Sequence, residues 1–514
     1  MPYTRAIVIN PPNPSGYVSN KDSMGGFGQL YPEGAPPFPP LDIPYLLAVL
    51  AAAGHEVSVI EAGALGLHTD AVVTQLQSDS QLATALVLVR TSLPTIDVDL
   101  AHCAVLRTRL RMGALALFGP AVPSLRSRIE RDPSIDFMVL GEPDGPVADL
   151  MRGQPMDQVP GLIYRTSDGW RSTPERPFER DLDSIPVPRW DLMPIDRYVI
   201  PRSSVSGDER FLPMLSSRGC PFGCNYCPYP IGQGLKWRFR SASNVVDEME
   251  QLVRVHGVGH ILFRDPMFSM QQKRVVAICD EVVRRGIQVH WKCETRVDCL
   301  DEPTIVAMAR AGCVGVNFGV ESIDPDVQKG VHRKPITEAD FVETVGLLHK
   351  HAISTFAFFV VGLPGDTLDT ILRSVEFAVR IRAKWTQFTV ATPFVGTPMH
   401  TWAVSQGFVA PDFYKILNAH TASPGNETLQ SSDIELLHRF GKFLQNNLLN
   451  RRGILKNERR ADPLYGALRR IADVASYGIA LGFVRCGSMY FRRTVHAVPP
   501  DARRLRVVQP PSAA

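Results

Sequence analysis

Three cysteines fall within eight residues of this sequence, Cys220, Cys224 and Cys227, with the spacing C-x3-C-x2-C. Grouped thiolates select zinc, copper(I) or an iron–sulfur cluster. A structural zinc site takes four protein ligands, yet the next histidine is His256 and the next cysteine is Cys279. A [4Fe–4S] cluster held by three cysteines fits better, because its fourth iron stays open to a substrate or cofactor. The pattern therefore predicts an iron–sulfur centre with one open position.

The composition is typical of an enzyme from a reducing compartment. The chain has 514 residues, enough for two or three domains, and a net charge of only +3. Nine cysteines, of which three cluster, favour a metal site over a disulfide framework. The first residues show no signal peptide, and the longest apolar run, 352–363, is too short to cross a bilayer. We therefore expect a cytoplasmic protein with no transmembrane segment and no nucleic-acid partner.

Residues 1–150 alternate strand-like and helix-like patterns. Strands are predicted at 6–10, 57–61, 86–90, 114–119 and 137–141, and helices at 44–53, 70–77, 98–112 and 124–131. Such units predict a doubly wound parallel sheet with helices on both faces, and ligands of such sheets bind beyond the carboxyl ends of the strands. Candidate binding residues at those ends are Pro12, Thr91, Ser92, Gly119 and Glu142. The alternative is that such residues simply end strands.

Residues 151–210 are rich in proline, aspartate and arginine and predict an extended linker, with a small hairpin at 161–165 and 170–173. The alternation returns at 211–410. Strands are predicted at 212–216, 260–264, 290–292, 315–319, 355–361 and 386–392, and helices at 243–255, 272–285, 302–311, 339–351 and 368–381. Six repeats predict a partial (β/α)6 barrel, in which chemistry takes place at the strand carboxyl ends. The cysteine loop follows the first of these strands.

Residues 411–514 show helical patterns at 432–449 and 463–483, together with several arginine pairs between 451 and 504. This predicts a mainly helical, basic C-terminal region that ends in a disordered tail. Such basic runs are usually a solvated face, and they would also suit an anionic or carrier-bound substrate. The predicted fold class is therefore α/β, with an N-terminal parallel sheet, a partial barrel and this helical region.

Further motifs lie at the ends of the later strands. They are Arg264-Asp265-Pro266, Glu294-Thr295-Arg296, Gly319-Val320-Glu321-Ser322, Gly362-Leu363-Pro364-Gly365 and Thr392-Pro393-Phe394. Together with the complete C-x3-C-x-aromatic-C signature, they resemble the radical S-adenosylmethionine (SAM) superfamily. Residues 10–12, 39–57 and 139–142 are similar to the cobalamin-binding domain that precedes the catalytic domain in one subgroup. No Asp-x-His-x-x-Gly motif occurs, so the resemblance implies cobalamin bound without a histidine ligand.

The resemblance implies a role for each motif. The cysteines would ligate three irons of a [4Fe–4S] cluster, and the open iron would take the amino and carboxylate groups of SAM. The remaining cofactor-binding residues that it implies are Tyr226 and the Gly362–Gly365 turn near adenine, Arg296 at the SAM carboxylate, and Glu321 and Ser322 at the ribose or amino group. One structural alternative is that Glu321 is a buried carboxylate neutralised by an arginine such as Arg296. Asp265 either contacts SAM or substrate or caps its loop.

The function implied by the resemblance is that of a cobalamin-dependent radical SAM methyltransferase. It would methylate an unactivated centre of a small-molecule or carrier-bound biosynthetic substrate, with electrons from a donor such as flavodoxin or ferredoxin. The alternative is that the same cofactors serve radical cyclisation, oxidation or rearrangement, as in the anaerobic porphyrin-ring cyclases. A methylthiotransferase is disfavoured, because those enzymes carry additional cluster cysteines in the N-terminal domain, where this chain has Cys103 alone. A non-catalytic iron–sulfur or cobalamin sensor would not need the motifs at the later strand ends.

Overall fold

A computed structural model describes residues 3–198, 210–410, 425–445 and 481–492. The strands are β1 (Arg5–Asn10), β2 (Tyr17–Asn20), β3 (Gln29–Pro32), β4 (Glu56–Glu61), β5 (Leu86–Arg90), β6 (Ala114–Phe118), β7 (Phe137–Val139), β8 (Leu162–Thr166), β9 (Gly169–Ser172), β10 (Phe211–Met214), β11 (Ser217–Arg218), β12 (Arg238–Phe239), β13 (His260–Phe263), β14 (His290–Thr295), β15 (Cys313–Glu321), β16 (Ser354–Val361) and β17 (Trp385–Val390). The helices are α1 (Ser23–Gly26), α2 (Asp42–Ala52), α3 (Ala62–Leu65), α4 (Thr69–Gln77), α5 (Ile96–Arg109), α6 (Val122–Ile129), α7 (Asp144–Met151), α8 (Tyr229–Gln233), α9 (Ala242–Arg254), α10 (Gln272–Arg284), α11 (Glu302–Arg310), α12 (Pro325–Gly330), α13 (Glu338–Lys350), α14 (Leu368–Arg380), α15 (Pro398–Ser405) and α16 (Ser431–Leu444).

The first sheet has seven strands in the order β4-β1-β5-β6-β7-β8-β9. Its first five strands in this order, β4, β1, β5, β6 and β7, are parallel. Strands β5 and β6 are buried along their whole length, because helices cover both faces of the sheet. The doubly wound parallel sheet predicted from the sequence is confirmed. Its strand order reverses between β1 and β5, which is the position where such sheets open a crevice for ligands.

The hairpin expected within the linker is also present. Strand β8 pairs antiparallel with β7, and β9 pairs antiparallel with β8. The first sheet therefore continues to Ser172, past the boundary placed at residue 150, and only the residues after it connect the two domains.

The second sheet has six parallel strands in the order β10-β13-β14-β15-β16-β17. Helices lie between successive strands, as the predicted partial (β/α)6 barrel requires. On β16 the exposure alternates: Phe356, Phe358 and Val360 are half-buried and line a central cavity, whereas Ala357 and Phe359 are buried. The barrel thus keeps an open lumen where a closed eight-stranded barrel is filled by layers of side chains.

The long loop at 11–40 contains the antiparallel hairpin of β2 and β3, which the sequence did not predict. Its turn packs on the strand ends of the first sheet. Gly28 has φ +90°, and a Cβ there would lie 2.6 Å from the Ser92 side chain. The turn thus covers part of the edge at which the sequence predicts ligand binding.

The C-terminal region packs on the barrel through α16. A Cβ at Gly441 would lie 2.8 Å from the Phe388 ring, and the His438 ring contacts the Phe388 carbonyl at 3.2 Å. Residues 481–492 are also helical. The other predicted helix, 463–483, lies outside the described residues except for its last three. In the described part of the chain, no helix has the length and apolar character needed to cross a bilayer.

Candidate functional site

A cavity of about 590 Å³ occupies the barrel lumen and opens towards the β2–β3 hairpin. At the carboxyl ends of the strands its wall includes Cys220, Cys224, Tyr226 and Cys227. The hairpin contributes further wall residues, Asn20, Ser23, Met24, Gln29 and Tyr31. One cavity therefore faces both the predicted cluster ligands and the N-terminal domain.

The cysteine loop is held between two short antiparallel strands, β11 and β12. The Cys220 amide donates to the Gly234 carbonyl at 3.2 Å, at the far end of the loop. The Asn225 amide donates to the Val331 carbonyl at 3.0 Å. These bonds fix the loop at its start and in its middle, so the three thiols are presented to the lumen by a braced backbone.

Asp265 braces the chain just before this loop. Its carboxylate is fully buried and accepts hydrogen bonds from the Ser216 amide at 2.8 Å, the Ser216 hydroxyl at 2.5 Å and the Ser217 hydroxyl at 2.6 Å. Both oxygens are used by protein donors. Of the two roles left open by the sequence, the structure supports the cap.

The thiols of Cys220, Cys224 and Cys227 lie in the wall of one cavity. Among the described residues, no group of three His, Cys, Asp or Glu side chains could hold a single metal ion. In a [4Fe–4S] cluster each cysteine binds a different iron, so the cluster does not require three ligands around one ion. Burial raises the pKa of the Cys220 and Cys227 thiols. The donor set of thiols on one loop fits an iron–sulfur cluster.

Two arginines, Arg296 and Arg333, belong to the wall of the same cavity. Arg296 is buried, stacks 4.4 Å above the Phe222 ring of the cysteine loop and pairs with Asp298 at 2.9 Å. Among the described residues, its Nη1 has no hydrogen-bond partner. Arg333, which is 7% exposed, likewise has a buried Nε without a partner. Unpartnered buried donors of this kind are costly unless a ligand accepts from them.

Glu321 lies at the end of β15 in a strained conformation. Its φ is +64°, beside an irregularity in the pairing of β15 with β16. Its Oε1 lies 4.0 Å from Nη1 of Arg333, and Arg333 Nη2 also donates to the Gly319 carbonyl at 2.5 Å. Burial raises the pKa of Glu321, although Arg333 opposes this. The neutralising arginine is therefore Arg333, whereas Arg296 is engaged by Asp298. Strain at a non-glycine residue is typical of functional sites.

Three other predicted SAM contacts have different surroundings. Ser322 is buried, and its hydroxyl accepts from the Asp324 amide at 3.3 Å. Gly362 has φ +86°, and a Cβ there would lie 2.7 Å from Ile434 of α16. The Gly365 amide donates to Glu427 at 3.0 Å. The close approach at Gly362 is thus made by a protein side chain, and contact of Ser322, Gly362 and Gly365 with SAM stays a prediction.

The strand-end residues of the first sheet mostly face protein. Thr91 and Ser92 are buried, and their hydroxyls contact Asp99 and Thr95, each at 2.8 Å. Pro12 is buried, and a Cβ at Gly119 would lie 2.7 Å from the Thr91 carbonyl. None of the described residues that line the lumen cavity is Pro12, Thr91, Ser92 or Gly119. Their contact with cobalamin stays a prediction.

Glu142 is the remaining predicted residue, and it joins the two domains. Its carboxylate lies 3.2 Å from Arg218 of β11 and 2.9 Å from Arg238 of β12, so it bridges the strands that bracket the cysteine loop. Burial alone would raise the pKa of Glu142, but Arg218 and Arg238 outweigh it and hold the pKa below its usual value. It also lines a small cavity between the domains, of about 90 Å³.

Sequence reasoning missed Arg333 and the hairpin residues. Arg333 lies 107 positions from Tyr226, whose hydroxyl oxygen is 3.4 Å from Arg333 Nη1. No local pattern marks it, and its Gly319 and Glu321 partners become neighbours only through the turn at the end of β15. The hairpin had a weak signal in the apolar residues of 17–20 and 29–32, separated by a glycine-rich turn.

Comparisons with known proteins agree with this arrangement. Residues 214–378 match the model of the radical SAM superfamily. An uncharacterised methyltransferase of Pyrococcus horikoshii is 30% identical over 54% of this chain and 60% of its own length. The anaerobic magnesium-protoporphyrin IX monomethyl ester cyclase of Cereibacter sphaeroides is 30% identical over 53% of this chain and 45% of its own length. The matches thus span less than two thirds of these two relatives.

A solved structure shares the fold of most of the chain. The radical SAM methyltransferase TsrM of Kitasatospora setae superimposes with a TM-score of 0.61 at 21% identity, over 79% of this chain and 75% of that protein. The match covers far more than the residues of the superfamily model. The chain therefore carries a radical SAM domain at residues 214–378, set in a fold that it shares with TsrM.

Proposed function

We propose that this protein is a cobalamin-dependent radical SAM methyltransferase. The observation that carries the proposal is the single lumen cavity, whose wall combines the three cysteines, the arginines Arg296 and Arg333, and the β2–β3 hairpin of the N-terminal domain. When bound there, a [4Fe–4S] cluster and cobalamin would supply reductive cleavage of SAM and methyl transfer.

The residues at the cavity mouth have the chemistry to hold SAM. The guanidinium groups of Arg296 and Arg333, which belong to the cavity wall, are charged donors that suit a carboxylate. The carboxylate of Glu321, which belongs to the cavity wall, suits an acceptor for a ribose hydroxyl or an amino group. Tyr226, in the aromatic position of the signature, lies beside both charged groups and is proposed to lie near adenine.

The hairpin side of the cavity suits cobalamin. Its wall carries amide and hydroxyl groups, those of Asn20, Ser23, Gln29 and Tyr31, which can bond the amide side arms of a corrin ring. The TsrM structure that shares this fold was determined with cobalamin and a [4Fe–4S] cluster bound. In this chain the hairpin turn covers part of the strand ends, so the hairpin itself is proposed to form the contact surface.

A second candidate function is radical cyclisation, which the relationship to the magnesium-protoporphyrin cyclase favours. Methyl transfer is preferred because several relatives in sequence are named methyltransferases and TsrM, which shares the fold, is one as well. The free state of all nine cysteines supports a cytoplasmic location. A small-molecule or carrier-bound substrate and a flavodoxin- or ferredoxin-type electron donor are part of the same proposal.

The test is anaerobic reconstitution with iron, sulfide and cobalamin, followed by reductant and SAM carrying a labelled methyl group. We expect 5′-deoxyadenosine to form and the label to appear on cobalamin. The Cys224→Ala variant should lose 5′-deoxyadenosine formation, whereas Cys486→Ala, at an exposed cysteine, serves as the matched control. Cleavage of SAM without label on cobalamin would reject methyl transfer in favour of cyclisation, and no cleavage by the cluster-loaded protein would reject the enzymatic proposal altogether.

A further inference from the structure

A buried lysine ties the β2–β3 hairpin to the first sheet. Lys21 directly follows β2, and its side chain is 3% exposed. Its Nζ donates to the Arg90 carbonyl at the end of β5 at 2.6 Å and lies 3.1 Å from both carboxylate oxygens of Asp99 on α5. A buried lysine is costly unless it is paired and hydrogen-bonded. Here the three acceptor atoms belong to the first sheet and to the helix that follows β5.

Asp99 is oriented by groups other than the lysine. Its carboxylate is fully buried and also accepts hydrogen bonds from the Thr91 hydroxyl at 2.8 Å and the Thr95 hydroxyl at 2.6 Å. These donors lie at the end of β5 and just before α5. The carboxylate that receives Lys21 is therefore held in place by the edge of the first sheet.

The hairpin turn is fixed at a second point. The Leu93 amide donates to the Phe27 carbonyl at 2.8 Å, and Gly28 lies against the Ser92 side chain. Between the two anchors the backbone is strained. Met24 has φ +54°, a left-handed conformation that a residue other than glycine keeps only when its surroundings enforce it. The segment between the anchors is therefore held in one conformation from both ends.

The residues on both sides of Lys21 line the lumen cavity. Asn20, Ser23 and Met24 all belong to its wall. The side-chain oxygen of Asn20 accepts from the Asp22 amide at 3.1 Å and the Ser23 amide at 3.2 Å, which couples Asn20 to the backbone beyond the lysine. A shift of Lys21 would therefore move wall residues that precede it and wall residues that follow it.

We propose that Lys21 and Asp99 are positioning residues for cobalamin, because their buried ion pair fixes Asn20 and Ser23 in the cavity wall. This inference rests on the proposed function for the identity of the cofactor. A hairpin that is already anchored loses little conformational entropy when a ligand binds to it, whereas a loose hairpin must first be ordered. The amide and hydroxyl groups of the hairpin thus meet the corrin side arms as a preorganised surface.

The test exchanges the charged pair for a neutral one. In Lys21→Met/Asp99→Asn the amide oxygen can still accept from both threonine hydroxyls, and no buried charge is left alone, so the fold should persist. Hydroxocobalamin is dialysed to equilibrium against the full-length, cluster-loaded protein without SAM or reductant. We expect its dissociation constant to rise by about tenfold or more, equivalent to at least one lost hydrogen bond. Lys350→Met/Glu302→Gln, which neutralises an exposed ion pair of 2.6 Å, is the matched control.

Hydrogen exchange shows whether the change is local. The amides of the hairpin, residues 17–32, should exchange faster in Lys21→Met/Asp99→Asn, whereas the amides of β14 and β15 and the iron content should keep their wild-type values. Lys21→Arg, which keeps a cation opposite Asp99, should recover part of the cobalamin affinity.

Three results would overturn the positioning role. They are an unchanged cobalamin affinity in the double variant, a loss of affinity without faster exchange of the hairpin, and equally faster exchange in both domains. A wild-type protein that binds no cobalamin would instead reject the cobalamin part of the proposed function, and the positioning role with it. The two failures are distinct, because the first is a comparison of variants and the second concerns the wild type alone.

Discussion

Replacing Arg333 by methionine is expected to weaken SAM binding while the iron–sulfur cluster is retained. The guanidinium is 7% exposed, so solvent screens its interactions little. It lies 4.0 Å from the Glu321 carboxylate and donates to the Gly319 carbonyl at 2.5 Å. Removing one member of such a buried pair costs about 3–5 kcal/mol of folding free energy, because the other charge is left without a partner.

The effect on SAM follows from the charged donor group that Arg333 brings to the cavity wall. One hydrogen bond from such a donor to SAM contributes about 1.5–3 kcal/mol. At about 1.4 kcal/mol per decade, Arg333→Met should therefore raise the SAM dissociation constant by about tenfold to a hundredfold. Arg333→Lys keeps the charge but loses the planar guanidinium group, so its SAM dissociation constant should lie between those of Arg333→Met and the wild type.

The assay is equilibrium dialysis of SAM against anaerobically reconstituted protein, with iron and sulfide analysis of each sample. Arg373→Met is the control, because its guanidinium is 53% exposed and pairs with Asp324 outside the cavity wall. Wild-type SAM affinity in an Arg333→Met protein with full iron content would contradict a contact between Arg333 and SAM. A loss of iron in parallel with SAM affinity would instead assign Arg333 to bracing the cysteine loop.

Three further perturbations test the frame around the site. Asp265→Ala removes the acceptor of three hydrogen bonds before the cysteine loop, so iron content per chain should fall after reconstitution; full content would contradict the cap. Glu142→Gln should destabilise the protein by about 3 kcal/mol at neutral pH. The pKa of Glu142 in the folded protein lies below the unfolded value of about 4.3, so the stability difference between the wild type and Glu142→Gln should shrink as the pH falls below about 4.3. Thermal unfolding across this pH range measures the difference, and a pH-independent value would contradict the ion pairs. Gly362→Ala should lower the unfolding temperature through its positive φ and its contact with Ile434, and Ile434→Ala should relieve part of that loss; strictly additive effects would contradict the contact.

The barrel could be predicted closely because its strands follow simple rules. Every strand and helix predicted between residues 211 and 410 is present, with bounds that agree within a few residues. On β16 and β17 the alternate exposure of inward and outward residues repeats with a period of two, which sequence reasoning detects well. The cysteines were equally clear, because their ligand chemistry is encoded within eight adjacent positions.

The ligand-facing edge of the first sheet could not be predicted in the same way. The rule that ligands lie at strand carboxyl ends led to Thr91, Ser92 and Gly119, and the strands do end there. The rule does not account for a hairpin from another loop that packs on those ends through glycines such as Gly28. The four-residue strands of that hairpin are too short to produce a periodic signal. Contacts between distant segments decided which residues face the cavity.

The ion pairs of Glu142 explain how the two proposed cofactor sites, on separate domains, can keep one geometry. The residue belongs to the loop after β7, in the domain proposed to hold cobalamin, and its partners Arg218 and Arg238 lie on the two strands that bracket the cluster ligands. Both arginines are buried, so moving the N-terminal domain would leave charges without partners. Buried ion pairs add little net stability, but any other orientation of the two domains would break them and leave buried charges without partners, at a large cost in free energy. The cysteine loop is therefore held in register with the N-terminal domain before any cofactor binds.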